Sequence, residues 1–332
     1  MMIIPYLDKI QQMCHTMMMM FSSKHYHKVV KHRTYKKMFN RWKSLRKHTW
    51  QHRLFCLYNE ELMVLMHSYN YASRYTYSHL AKDGAQWSSL AKDYFKNSND
   101  NTLTIKKWSD TLNDFENWTM LNCAMALSSY FETYLASVIT LALESDPGAM
   151  IGKSHSVDGM ELVKHGHQNK EKIEAIVEDC TKGTWPSRIN AMQKTFGKLP
   201  ESIRKNVKML ESIRILRNKV GHAFGRDIKK SREIDGAEKL KMEKLSSKRF
   251  MKWQKKISEI VSDIDEYLLN NHIGSFQPLL VYHTLYPTLD VSNTPMARGL
   301  RMMAFKKAIG SDKKDTYSKD FCRSLIAYYE AL

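Results

Sequence analysis

The sequence predicts an all-α fold. Three stretches, residues 113–141, 203–220 and 253–268, carry apolar side chains at three- and four-residue steps, which is the helical period. Proline- and glycine-bearing segments punctuate them, as in Asp146-Pro147-Gly148 and TKGTWP at 181–186. A hydrophobic share of 43% over 332 residues is ample for a packed core.

The chain opens on a basic region. Residues 1–58 hold twelve Lys or Arg, among them Lys36, Lys37, Arg41 and Arg46, against the single acid Asp8. Aromatics are threaded through it (Tyr26, Tyr35, Phe39, Trp42, Trp50, Phe55 and Tyr58), a mixture suited to phosphate contact and to stacking on unpaired bases. The same mixture fits an amphipathic helical hairpin with a solvated basic face. Asp8, Lys9 and Gln11 interrupt the apolar start, and no small-residue cleavage site follows, so a non-secretory start is expected.

KNSNDNT at 96–102 marks a connection, and an amphipathic helix is expected from about Asn113. Its stripe runs Phe115, Trp118, Leu121, Met125, Phe131, Leu135, Val138 and Leu141, with Ser128 in the gap. The segment at 119–143 is long enough to span a bilayer, but Glu132 would sit near the midplane, so a buried helix and no membrane partner are expected. A polar helix is expected over 161–178, and another after Pro200 with Ile203, Val207, Leu210, Ile213, Leu216 and Val220 on one face. Residues 229–256 hold eleven basic against four acidic residues and lead into a helix carrying Trp253, Ile257, Ile260, Ile264, Tyr267 and Leu268. Beyond Gly274, Pro278, Pro287 and Pro295 argue for short extended pieces at most, with a final helix or two from Ala297. The divisions expected are a basic helical N-terminal region (1–110), a helical domain (111–272) and a small C-terminal extension (273–332).

A formal charge of +18 points to a polyanionic partner, nucleic acid above all. The five cysteines form no CxxC pair, which argues against a disulfide framework or a zinc ribbon and fits a reducing cytoplasm. GAMIGKS at 148–154 is one residue short of a phosphate-binding loop and follows a helical pattern, so ATPase chemistry is not expected. His48 and His52 have the spacing of metal ligands on a helix, yet HTWQH lacks the acid of HExxH. His165-Gly166-His167 has no neighbouring cysteine. Neither a metal nor another cofactor is expected.

Three pairs place His five or six residues after Arg: Arg46 with His52, Arg74 with His79, and Arg217 with His222. That is about what chance gives, so context must choose. Only Arg217 is followed by an amide, Asn218, and only this pair closes a clear amphipathic helix, with Gly221 and Gly225 around the histidine. Asn218 and His222 stand four apart on one face, with Arg217 about 7.5 Å of helical rise from His222. The bland alternative is a His222 that merely caps the helix C-terminus, with Arg217 and Asn218 solvated.

LESIRILRNKVGHAFGR resembles the signature helix of the HEPN superfamily, and LSSYFETYLASVI, with Ser129, Phe131 and Glu132, resembles its long helix. The resemblance covers about 113–272 and is close only at the motif. It implies a HEPN-like helical bundle and a metal-independent endoribonuclease of toxin or phage-defence type. It also implies a homodimer, with an antitoxin or defence-system protein as a further partner. Arg217, Asn218 and His222 would be catalytic on RNA, with Lys36, Lys37, Arg41, Arg46, Lys219 and Arg226 binding it. Glu132 would support the site through an ion pair with Arg217 or another helix, or else face solvent. The alternative is a non-catalytic HEPN-like scaffold that binds nucleic acid or nucleotide. Ala223 and Phe224 stand where some HEPN toxins carry a modifiable tyrosine, which puts control by that modification in doubt.

Overall fold

The computed structural model describes residues 39–96, 100–223, 241–292, 294–310 and 317–332, all within one compact unit, Phe39–Leu332. Eleven α-helices are described, and among the described residues the sole β pairing is an isolated bridge between Leu90 and Thr104. The all-α class is therefore correct.

Helix α1 (Trp50–Lys82) begins at Thr49, whose hydroxyl accepts the His52 amide, and α2 (Ile105–Ser145) begins at Thr104, which caps the Lys107 amide. The two run antiparallel: Phe55 meets Tyr134, Tyr58 meets Tyr130, and Tyr77 bonds Ser109. Helix α2 starts eight residues before the expected Asn113 because Thr104 supplies a cap that periodicity does not register. It runs unbroken through 110, where a division was expected. Phe115 and Trp118 are exposed, while Leu121, Phe131, Leu135, Val138 and Leu141 are buried and Met125 is partly buried.

After the Asp146 cap come α3 (Gly159–His165), α4 (Lys170–Thr181) and α5 (Trp185–Phe196). The single polar helix expected over 161–178 is thus two, parted where Gly166 takes a left-handed conformation. The helix expected after Pro200 is likewise two, α6 (Glu201–Lys205) and α7 (Val207–Ala223), with a break at Asn206. Helix α8 (Ser247–Leu268) buries Trp253, Ile257, Ile260 and Ile264. Helix α2 is the centre of the bundle, packing on α1, α4, α7 and α8. It is the one described helix long and apolar enough to cross a membrane, and more than half of that apolar window is buried inside the fold.

Beyond α8 a π turn (Leu269–Ile273) leads to α9 (Phe276–Leu285), α10 (Pro295–Ile309) and α11 (Lys319–Ala331). The expectation of short extended pieces here was wrong. Pro278 lies in the first turn of α9 and Pro295 opens α10, positions whose amide has no intrahelical acceptor to lose. Nor does this part stand apart, since Tyr282, Phe305 and Tyr329 meet edge to face in the core and Tyr328 bonds Asp158 beside α3.

Candidate active site

Helix α7 is amphipathic, burying Leu210, Ile213 and Val220 against α2 and turning its charged residues outward. Along one outward face Glu211, Arg214, Arg217 and Asn218 follow at three- and four-residue steps. Opposite them, Glu132 projects from α2 and Arg188 from α5.

Glu132 joins the two arginines. Its Oε1 lies 3.2 Å from Arg188 Nη1 and its Oε2 3.6 Å from Arg217 Nη2. Arg188 is buried, donating also to Gly183 O at 3.1 Å, and burial pulls its pKa below the usual guanidinium value against the opposing effect of Glu132. Arg217 differs: its side chain is 43% exposed, and Nη1 donates to Asn218 Oδ1 at 3.3 Å. The carboxylate therefore fixes the Arg217 head while leaving much of it open to an anion. One turn back, Glu211 accepts both Arg214 Nε and the Trp185 amide. The Arg214 hydrogen bond holds the Glu211 carboxyl below its usual range and raises Arg214 in turn.

His222 is exposed in the last turn of α7, four residues on from Asn218. Chemically the face offers a half-exposed guanidinium, an amide and an imidazole, which suffice to bind a phosphodiester and move one proton.

The expected RNA-binding residues fare differently. Lys36, Lys37 and Arg226 lie outside the described residues. Lys219 is exposed and pairs with Glu243 at 2.5 Å, while Arg46 rests over the Trp50 ring. Arg41 contradicts its expected role. It is buried, with Nε on Asp158 Oδ1 at 3.1 Å, Nη1 on Ile273 O at 2.9 Å and Nη2 on the carbonyl and hydroxyl of Ser145 at 2.8 Å. A guanidinium committed to four protein acceptors under Trp42 and Phe276 has nothing to present to RNA. Arg188, Glu211 and Arg214 were missed. The Glu211, Arg214, Arg217 spacing on one face could have revealed two of them; nothing in the sequence near Arg188 marks it.

The GAMIGKS segment behaves as bland structure. GAMIGKS forms a 3-10 turn and a left-handed Gly152 after a helix, the wrong setting for a strand-to-helix phosphate loop. An open groove of about 440 Å³, lined by residues including Trp50, Ser137, Glu144 and Gln277, takes no residue from α7.

Comparison of the chain with protein-family models, with curated proteins and with solved structures returned no match.

Proposed function

We propose that this chain is a metal-independent endoribonuclease of HEPN type, acting in the cytoplasm as a toxin or in defence against phage. The observation that carries the reading is the arrangement on α7: the apolar stripe is buried, yet Arg217 stays half-exposed under the hold of Glu132, and His222 is open to solvent one turn beyond Asn218. RNA brings its own nucleophile. His222 would take the proton of the 2′-OH as that oxygen attacks phosphorus, and the 5′-oxygen would leave with a proton from a second acid. Arg217 would meet the charge growing on the phosphoryl oxygens, and Asn218 would orient it.

One α7 supplies one imidazole, whereas the two proton transfers occur on opposite sides of phosphorus. A homodimer with α7 near its two-fold axis would supply the second. An antitoxin or another defence protein would be a further partner. The basic residues before Phe39 and those of 229–256 would hold RNA by neutralising phosphates.

The chemistry of the ends tests the reading. RNA cut by the purified protein in chelator should carry 2′,3′-cyclic phosphate, or its hydrolysis product, and 5′-hydroxyl. Fragments with 5′-phosphate would reject attack by the 2′-OH. The ion pair of Arg217 with Glu132 favours a second reading, in which the arginine is structural and the surface binds nucleic acid or nucleotide without cutting it. RNA retention with no new ends would support that one.

A further inference from the structure

The segment HTWQH carries no acidic residue of its own. The fold supplies one from 213 residues beyond His52: Asp265 of α8 comes up beneath the start of α1. His48 Nδ1 lies 3.5 Å from Asp265 Oδ2, the His48 and His52 rings stack with centroids 4.0 Å apart, and a ligand atom from each of the three residues falls within 4.8 Å of the others.

We propose that His48, His52 and Asp265 form a binding site for a divalent first-row transition-metal ion of the zinc class. Two imidazoles and one carboxylate are a donor set such ions favour, and the fourth position would fall to water. A four-coordinate ion with bonds near 2.0–2.2 Å needs its ligands about 3.3 Å apart. The His48 to Asp265 separation already meets this. His48, 46% exposed, is free to close the remainder, and its position at the surface gives the ion its way in.

Charge supplies a second, independent reason. Asp265 is fully buried, and among the described residues no Lys or Arg pairs with it. Besides His48, its partners are the Thr49 amide at 2.9 Å, the Thr49 hydroxyl at 2.5 Å and Tyr134 Oη at 3.4 Å. A buried carboxylate calls for a cation. A metal held by the two imidazoles would supply one directly at the carboxylate.

The surroundings suit an ion. Ser262 Oγ meets His52 Nε2 at 3.1 Å, and Thr49 and Tyr134 orient the carboxylate, the outer contacts that metal ligands ordinarily have. The ion would clamp the start of α1 onto α8. This site shares no residue with α7, so it stands or falls apart from the ribonuclease reading.

The test titrates the full chain, first stripped of metal by chelator, with Zn²⁺ by calorimetry and with Co²⁺ by visible absorption. Removal of Asp265 or Thr49 would disturb the start of α1, so the chosen variant is His48→Gln at the surface. The wild type should bind one equivalent of Zn²⁺ at micromolar affinity or tighter, show the intense d–d bands of four-coordinate Co²⁺, and gain thermal stability on binding. His48→Gln should lose at least about tenfold in affinity with its metal-free melting temperature unchanged. Absence of saturable binding by the folded wild type, or equal affinities in the two proteins, would overturn the site.

Discussion

Glu132 Oε2 stands 3.6 Å from Arg217 Nη2, and its other oxygen holds the buried Arg188. One carboxylate thus serves stability on one side and the candidate active site on the other. Glu132→Ala should cost about 1.5–3 kcal/mol in denaturant unfolding, because Arg188 loses a charged hydrogen bond where water does not replace it. Glu132→Gln keeps an oxygen for Arg188 and should cost less, while releasing Arg217. If Glu132 positions Arg217, the Gln variant should be close to wild type in stability and lower in RNA cleavage. Equal cleavage by wild type and Gln variant would confine Glu132 to the fold.

Arg41 is a structural residue, against its reading as an RNA contact. Its replacement by alanine would leave Asp158, Ser145 and the Ile273 carbonyl without their donor and should destabilise by about 3–5 kcal/mol. Lysine should not rescue it, since one ammonium cannot reproduce the fork. Thermal melting checks both.

The basic start divides at Phe39. Phe39 packs on Phe321 and Tyr328, and Thr49 and Phe55 are buried, so deletion of residues 1–58 removes part of the core. The cut that spares the core is Met1–Met38. A chain starting at Phe39 should fold, bind RNA more weakly and show a shallower dependence of affinity on salt, because fewer counterions are released. An unchanged salt slope would exclude those residues from RNA contact.

Stability should also report on Glu144. Burial raises its carboxyl pKa, only partly offset by Lys170. A group whose folded pKa lies above its unfolded value favours folding fully at pH below the unfolded value, near 4.5, and that benefit is lost as pH rises through the folded pKa. Glu144→Gln should therefore raise the melting temperature at pH 7.5 and leave it nearly unchanged at pH 4. A lower melting temperature at pH 7.5 would mean that its charge is compensated.

Local rules carried the sequence reading where local physics decides. Most of each stripe lies in the core where the period placed it, as with Leu121, Phe131 and Leu135 of α2, Leu210 and Ile213 of α7 and Ile257 and Ile260 of α8, whereas Phe115 and Trp118 are exposed; Asp146-Pro147 ends α2. Failures came from positions rather than residue types: prolines after Gly274 read as helix breakers until the first turn of α9 accommodates Pro278. Glu132 and the α7 motif were legible because each carries its own pattern. Arg188 beside Glu132, and Asp265 beneath His48 and His52, were not, since each pairing joins residues 56 or more than 200 positions apart.

The central claim is that His222 moves a proton in the cleavage of RNA without metal. Total RNA incubated in chelator with wild-type protein and with His222→Ala, which is exposed and should fold normally, tests it directly. The wild type should cleave, and the variant should lose at least about 100-fold. Equal cleavage by both proteins would contradict it.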